Sequence, residues 1–123
     1  MNFVPVTVGQ GASGASVTLA DGMVVQTTVP SQALEIGATY DLGIRAEALQ
    51  VVPAGTGDVS GKAEVIERLG DRTLVYVRLS TGALVVGEAE GDSKVVTGDA
   101  VSVKFDGSRT HLFDARGQAY HSL

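Results

Sequence analysis

Apolar and polar residues alternate over short stretches along most of the chain, and glycine-centred breaks interrupt the alternation. Successive side chains of a strand point to opposite faces, so a period of two marks strands with one buried face. The pattern predicts strands near 3–8, 15–20, 23–28, 39–45, 58–69, 72–79, 83–88, 94–97 and 100–106, with a shorter piece near 111–114. Asp21-Gly22 and Thr81-Gly82 sit between such runs, where glycine supplies the positive φ of a tight hairpin. Gly70-Asp71 reads as a third turn of this kind. Only Arg45 to Gln50 resembles helix, barely one turn long, and Ser31 to Ile36 reads as another short turn.

The pattern repeats. Val17-Thr-Leu-Ala-Asp-Gly22-Met-Val-Val25 and Val77-Arg-Leu-Ser-Thr-Gly82-Ala-Leu-Val-Val86 share V-x-L-x-x-G. Gly37-Ala-Thr-Tyr-Asp-Leu-Gly-Ile44 aligns in turn with Gly98-Asp-Ala-Val-Ser-Val-Lys-Phe105. The offsets are 60 and 61 residues, so two half-domains are expected to share one hairpin-plus-strand plan. Evenly spaced short strands favour a small closed architecture, because closure removes exposed edges. The expectation is an all-β, OB-like Greek-key barrel of nine to ten strands, filling residues 1–123 as a single domain.

Composition agrees with that picture. Sixteen glycines stand against three prolines, and 44% of residues are apolar, enough for an independent core at 123 residues. The net charge is −5 and the nine Lys and Arg are scattered singly, which speaks against a nucleic-acid partner. The six aromatics, Phe3, Tyr40, Tyr76, Phe105, Phe113 and Tyr120, are equally dispersed, unlike a base-stacking platform. No cysteine is present, so disulfides and thiolate metal sites are excluded.

Reactive motifs are sparse. Gly9-Gln-Gly11-Ala-Ser-Gly14 matches G-x-G-x-x-G, but a dinucleotide site needs a helix next, and here a strand follows. Ser60-Gly61-Lys62-Ala63 lacks both the first glycine and the hydroxyl of a phosphate-binding P-loop. His111 and His121 have only Asp114 as a close carboxylate, too few ligands for a metal, and His121 falls in a tail expected to be mobile. The pairs Glu64/Glu67 and Glu88/Glu90 read as solvated strand faces rather than acid–base dyads. No catalytic, cofactor-binding or metal-binding residue is assigned.

Leu42-Gly-Ile-Arg45-Ala-Glu47-Ala-Leu49 carries more information, with a basic and an acidic group at a strand end. Such a pair either pins a turn or orients an interface. His111-Leu112-Phe113-Asp114 has the same character, an apolar pair flanked by polar groups after Asp106-Gly107. Together with Met1-Asn2-Phe3, Gly61-x-x-x-Val65-x-Glu67-x-Leu69-Gly70 and Gly98-Asp99, and in this order, these segments carry a resemblance. The chain resembles the C-terminal regulatory domain, TOBE-type and OB-like, of ABC transporter ATP-binding proteins of the maltose/glycerol-phosphate importer type. The family's strand-end motif G-I-R-P-E-H reads here with Ala46 for proline and Ala48 for histidine, while Arg45 and Glu47 remain.

The resemblance implies a regulatory and dimer-contact domain without catalysis of its own, with Arg45, Glu47, His111, Leu112 and Phe113 as contact residues. It implies a nucleotide-binding segment, with ATP and Mg, upstream of the point that Met1-Asn2-Phe3 matches. The implied partners are a second copy of the ATPase subunit, permease subunits reached through that segment, and a regulatory protein or small effector. The implied location is cytoplasmic, at the inner face of the plasma membrane. The alternative is a small-ligand module for oxyanions or sugars, with Ser60/Lys62 and Ser93/Lys94 as its weak candidates.

Overall fold

The structure, a computed structural model, describes residues 1–122. It is all-β, with eleven strands among the described residues: β1 (Asn2–Gln10), β2 (Ala15–Thr18), β3 (Val24–Gln26), β4 (Thr39–Ile44), β5 (Leu49–Pro53), β6 (Val59–Arg68), β7 (Thr73–Leu79), β8 (Leu84–Ala89), β9 (Ala100–Phe105), β10 (Thr110–Phe113) and β11 (Ala119–His121). Single 3-10 turns occupy Ser31–Ala33, Ala46–Ala48 and Gly107–Arg109. The strands divide between two compact units, one built from Met1–Ile44 and the stretch from Asp106 onward, the other from Arg45–Phe105.

The first unit is a six-stranded sheet in the order β11-β10-β4-β1-β2-β3. Its core follows from the alternation in β1: Val4, Val6 and Val8 are buried while Phe3, Pro5 and Thr7 point outward. Val17, Val25, Leu42, Ile44 and Leu112 complete the buried face. Thr27 is also fully buried; its hydroxyl donates to the Ala15 carbonyl at 2.7 Å and accepts from the Val29 N–H, so the burial leaves no polar atom unsatisfied.

The second unit is a closed barrel, β5-β8-β7-β6-β9, with β9 pairing back onto β5. Leu49, Val59, Val75, Val77, Val85 and Val103 fill it. Closing five strands demands strong local bending, and β6 supplies it with a bulge between Ala63 and Val65. Before the bulge β6 pairs with both β9 and β7; beyond it, with β7 alone.

The repeat seen in the sequence is a repeat of hydrogen bonds. Gly37 N–H donates to the Val8 carbonyl and Val8 N–H to that of Ala38; Gly98 and Ala63, then Ala63 and Asp99, make the same two bonds. The plan β1–β4 is thus reproduced in β6–β9. The fifth strands, however, are exchanged. β5 leaves the first repeat to pair with β9, and β10 leaves the second to pair with β4, with Leu49 opposite Phe105 and Thr110 opposite Ile44.

Three local expectations need correcting. Residues 94–97 form no strand, because side chains have taken the bonds a ladder would use. Arg68 donates to the carbonyls of Ser93 and Val95 at 3.0 and 2.9 Å, while Ser93 Oγ and Asp99 Oδ2 accept from the N–H groups of Val95 and Val96. The helical look of Arg45 to Gln50 shrinks to the 3-10 turn Ala46–Ala48, after which Leu49 starts β5. The C-terminal stretch is not a loose tail, since Ala119–His121 pairs with β10.

Candidate contact surface

The contact candidates lie in both units. Arg45 and Glu47 are exposed, at either side of the start of the turn Ala46–Ala48, whose Ala48 side chain and following Leu49 are buried in the barrel. The buried anchor fixes the turn and keeps the two charged side chains on the surface. His111, Leu112 and Phe113 are consecutive on β10, so alternation sends them to opposite faces of the sheet. Leu112 is 0% exposed and belongs to the core, which removes it from any outer contact. His111 and Phe113 share the outer face.

The register assembles that outer face residue by residue. Phe3 is opposite Gly43, Gly43 opposite His111, and His111 opposite His121. In the next row Pro5, Asp41, Phe113 and Ala119 are aligned. Gly43 has no side chain, and the Met1 thioether and Phe113 ring lean over the space a Cβ would fill. Phe3 and Phe113 meet edge to face with centroids 5.5 Å apart, a favoured quadrupole geometry. Phe3 nevertheless remains 54% exposed and Met1 49%. An aromatic pair and a methionine on the water-facing side of a sheet form an apolar patch of the kind that marks protein contacts.

Phe3 was not among the contact residues expected from sequence, although the signal was present. In the run Asn2 to Val8 the valines fix the inward phase, so Phe3 had to face out. His121 was missed for a different reason: its strand is three residues long, too short for alternation to register.

Several other charged groups bind within their own unit. Glu64 pairs with Arg78 at 3.1 Å, and the Tyr76 hydroxyl donates to Glu67 at 2.6 Å. That hydrogen bond and the carboxylate's charge raise the Tyr76 phenol above its ordinary value. A recess of about 400 Å³ is bordered by Tyr40, Asp114, Arg116 and Tyr120. Asp114 Oδ1 already accepts from the N–H groups of Arg116 and Gln118, so its carboxylate shapes its own turn. Ser93 and Lys94 border a recess of about 250 Å³ in the barrel unit, shared with Asp99. Ser60 and Lys62 lie exposed on β6. In the segment Gly9–Gly14, Gly9 and Gln10 end β1 and residues 11–14 form a hairpin loop, closed by a bond from Gly11 N–H to the Gly14 carbonyl. Among the described residues, no three His, Asp or Glu side chains converge on a metal position.

Comparison with known proteins places this geometry. The alpha-glucoside transport ATP-binding protein AglK of Rhizobium meliloti is 34% identical over 123 residues, covering 99% of this chain and 34% of that protein. The maltose/maltodextrin import ATP-binding protein MalK of Vibrio cholerae is 31% identical over 125 residues, covering 100% of this chain and again 34% of its own length. The chain therefore spans about a third of the length of these relatives. Among solved structures, the cytoplasmic molybdate-binding protein ModG in its molybdate-bound form shares the fold, with a TM-score of 0.74 at 17% identity over 90% of this chain and 94% of that one. The TOBE domain family matches residues 42–113, which run from the start of the strand-end motif through Phe113. With more than half of its length inside that match, the chain belongs to the TOBE domain family.

Proposed function

We propose that this TOBE domain is the regulatory and dimer-contact module of the ATP-binding subunit of a carbohydrate importer, acting through its outer surface and catalysing nothing itself. Hydrolysis, with its ATP and Mg, would belong to a separate nucleotide-binding segment, which would also carry the contact to the permease subunits. The parent protein would then work in the cytoplasm at the inner face of the plasma membrane. A persistent contact outside the nucleotide sites keeps the two subunits at high local concentration while they open and close. The same surface is available to a regulatory protein.

The observation that carries this reading is the exposed Phe3–Phe113 pair with Met1 on one face of the six-stranded sheet. The buried core lies on the other face of this sheet, so the outward aromatics are available for a contact. Arg45 and Glu47 add a charged pair that can set orientation. The test uses the complete ATP-binding subunit. Phe3→Ser with Phe113→Ser, and separately Arg45→Glu, should weaken nucleotide-free dimerisation in sedimentation and loosen control of ATP hydrolysis in the assembled transporter. Wild-type values in both assays would remove the assignment.

A second reading is a small-oxyanion or sugar module, favoured by the fold shared with a molybdate-binding protein. Against it, the Ser93/Lys94 recess includes the Asp99 carboxylate, which repels an anion. Thermal melting with molybdate, sulfate and maltose separates the readings. A ligand at about a hundred times its Kd should add about 2.7 kcal/mol, and no shift with any of them leaves the contact role.

A further inference from the structure

His111 and His121 are the two histidines of the chain, and they meet. They are opposite each other on β10 and β11, with ring centroids 4.8 Å apart, planes at 81°, and Nδ1 atoms separated by 2.6 Å. The bonds from Ser122 N–H to the Thr110 carbonyl and from Asp114 N–H to that of Gln118 fall at alternate rungs of the ladder. His111 and His121 thus form a non-hydrogen-bonded pair, the type in which Cα atoms approach to about 4.5 Å and side chains run closest. Both rings are on the outer face, within reach of water.

We propose that this pair is a two-imidazole site for a divalent transition ion of the copper, nickel or zinc class. Imidazole suits these ions, and affinity at such a site rises toward Cu²⁺. With metal–nitrogen bonds of about 2.0–2.1 Å, two nitrogens on one ion stand about 2.9 Å apart at right angles and about 3.3 Å apart in a tetrahedron. The Nδ1 atoms are already within an ångström of either spacing, so a small rotation of the exposed rings admits the ion. The two Nδ1 atoms lie within hydrogen-bond distance; when the ion binds, each ring keeps its one proton on Nε2 and turns its Nδ1 lone pair to the metal, so a proton that stood on one Nδ1 moves by way of solvent to the Nε2 of the same ring. The strand pairing holds both ligands before the ion arrives, so little ordering remains to oppose binding. Phe113 leans over Gly43 beside His111, giving the site an apolar flank. Water or a donor from a partner molecule completes the coordination. The site stands independently of the contact role proposed above.

The test is titration of the chain with Cu²⁺ under a competing chelator, read by electron paramagnetic resonance, and with Zn²⁺ by calorimetry. One ion per chain is expected, with hyperfine structure from two equivalent nitrogens. His121→Ala should lower the affinity at least about tenfold, the scale on which even supporting groups of metal sites act, and His111→Ala should do the same. Circular dichroism of each variant separates lost ligands from lost fold, and His121→Gln, which preserves size without imidazole, gives a second check. Zn²⁺ should also raise the melting temperature of the wild type and leave that of His121→Ala unmoved. Ion binding of equal strength in the His111→Ala, His121→Ala double variant, or a signal from fewer than two nitrogens, would overturn the site.

Discussion

Gly22 and Gly82 hold the same position in two copies of one hairpin. Each donates its N–H to a leucine carbonyl, Leu19 or Leu79, at 2.9 Å, and their φ angles are 89° and 94°. A Cβ at either place would meet nothing within 4 Å, so space does not require glycine; the positive φ does. Replacement of either by alanine should therefore cost about 1–2 kcal/mol, the penalty of the left-handed region for an L-residue. Asparagine, which tolerates that region, should cost less. Chemical denaturation of Gly22→Ala, Gly82→Ala and the two asparagine variants measures the difference, and equal losses for Ala and Asn would contradict the backbone explanation.

These turns were legible because their chemistry is local: a glycine between two alternating runs admits few structures. The exchange of β5 and β10 was not legible. Leu49 pairs with Phe105 and Thr110 with Ile44, partners more than fifty residues away, and nothing in either short strand names its partner. The stretch 94–97 failed for a third reason. Its Val95-Val96 pair has strand propensity, but Arg68, 25 residues upstream of Ser93, claims its carbonyls. On the outer face, the sequence motif located Phe113 and His111, yet it included Leu112, whose phase on the same strand turns it inward.

Arg68 should be a loop anchor rather than a surface charge. Its guanidinium donates to two backbone carbonyls, and no other side chain in the described residues binds those of Ser93 and Val95. Arg68→Ala should raise hydrogen exchange across residues 91–98 while leaving β7 and β8 protected, at a global cost of about 1 kcal/mol. Lysine, with a point charge in place of a fork, should restore the anchor only in part. Unchanged exchange in the alanine variant would argue that the loop is held by its own turns.

Asp106 makes one unit's stability depend on acid. Its carboxylate accepts from the Ser108 hydroxyl at 2.6 Å and the Ser108 N–H at 3.1 Å, capping the turn Gly107–Arg109. The hydroxyl bond chiefly, opposed by partial desolvation and helped by the N–H and Arg109, holds its pKa below the ordinary aspartate value. A lowered folded pKa means stability that is complete above the unfolded value, about 3.9, and is lost as pH falls through the folded one. The melting-temperature gap between wild type and Asp106→Ala should thus be widest near neutrality and narrow below about pH 4. A gap that widens on acidification would reverse the sign and refute the cap.

Leu112 and Phe113 are neighbours with opposite duties, and substitution should separate them. Leu112→Ala empties a wholly buried position and should cost about 2–5 kcal/mol. Phe113→Ala gives up the edge-to-face contact with Phe3 and part of a half-buried ring, and should cost about 1 kcal/mol. The proposed dimer-contact role predicts the inverse order for dimerisation of a complete ATP-binding subunit, with both variants compared well below their melting temperatures. If Phe113→Ala unfolds the chain as readily as Leu112→Ala, the outer patch is core.

The exchanged strands separate the unit of duplication from the unit of folding. A cut after β5, as the internal repeat suggests, yields residues 1–53, which carry β5 without β9 and β4 without β10. The segment Arg45–Phe105, by contrast, is continuous and contains all five barrel strands with every barrel pairing, including the return of β9 onto β5. At about 60 residues it lies near the lower limit for an independent core, burying only about 60% of its unfolded surface. Closure leaves open only the end of β6 beyond the bulge and most of β8, which shortens the edges available for aggregation in so small a β-structure. Expressed alone, Arg45–Phe105 should show a β-type circular dichroism spectrum and a cooperative melt below that of the whole chain. Residues 1–53 should show neither. A folded repeat with an unfolded barrel segment would mean that the strand pairing does not set the folding unit.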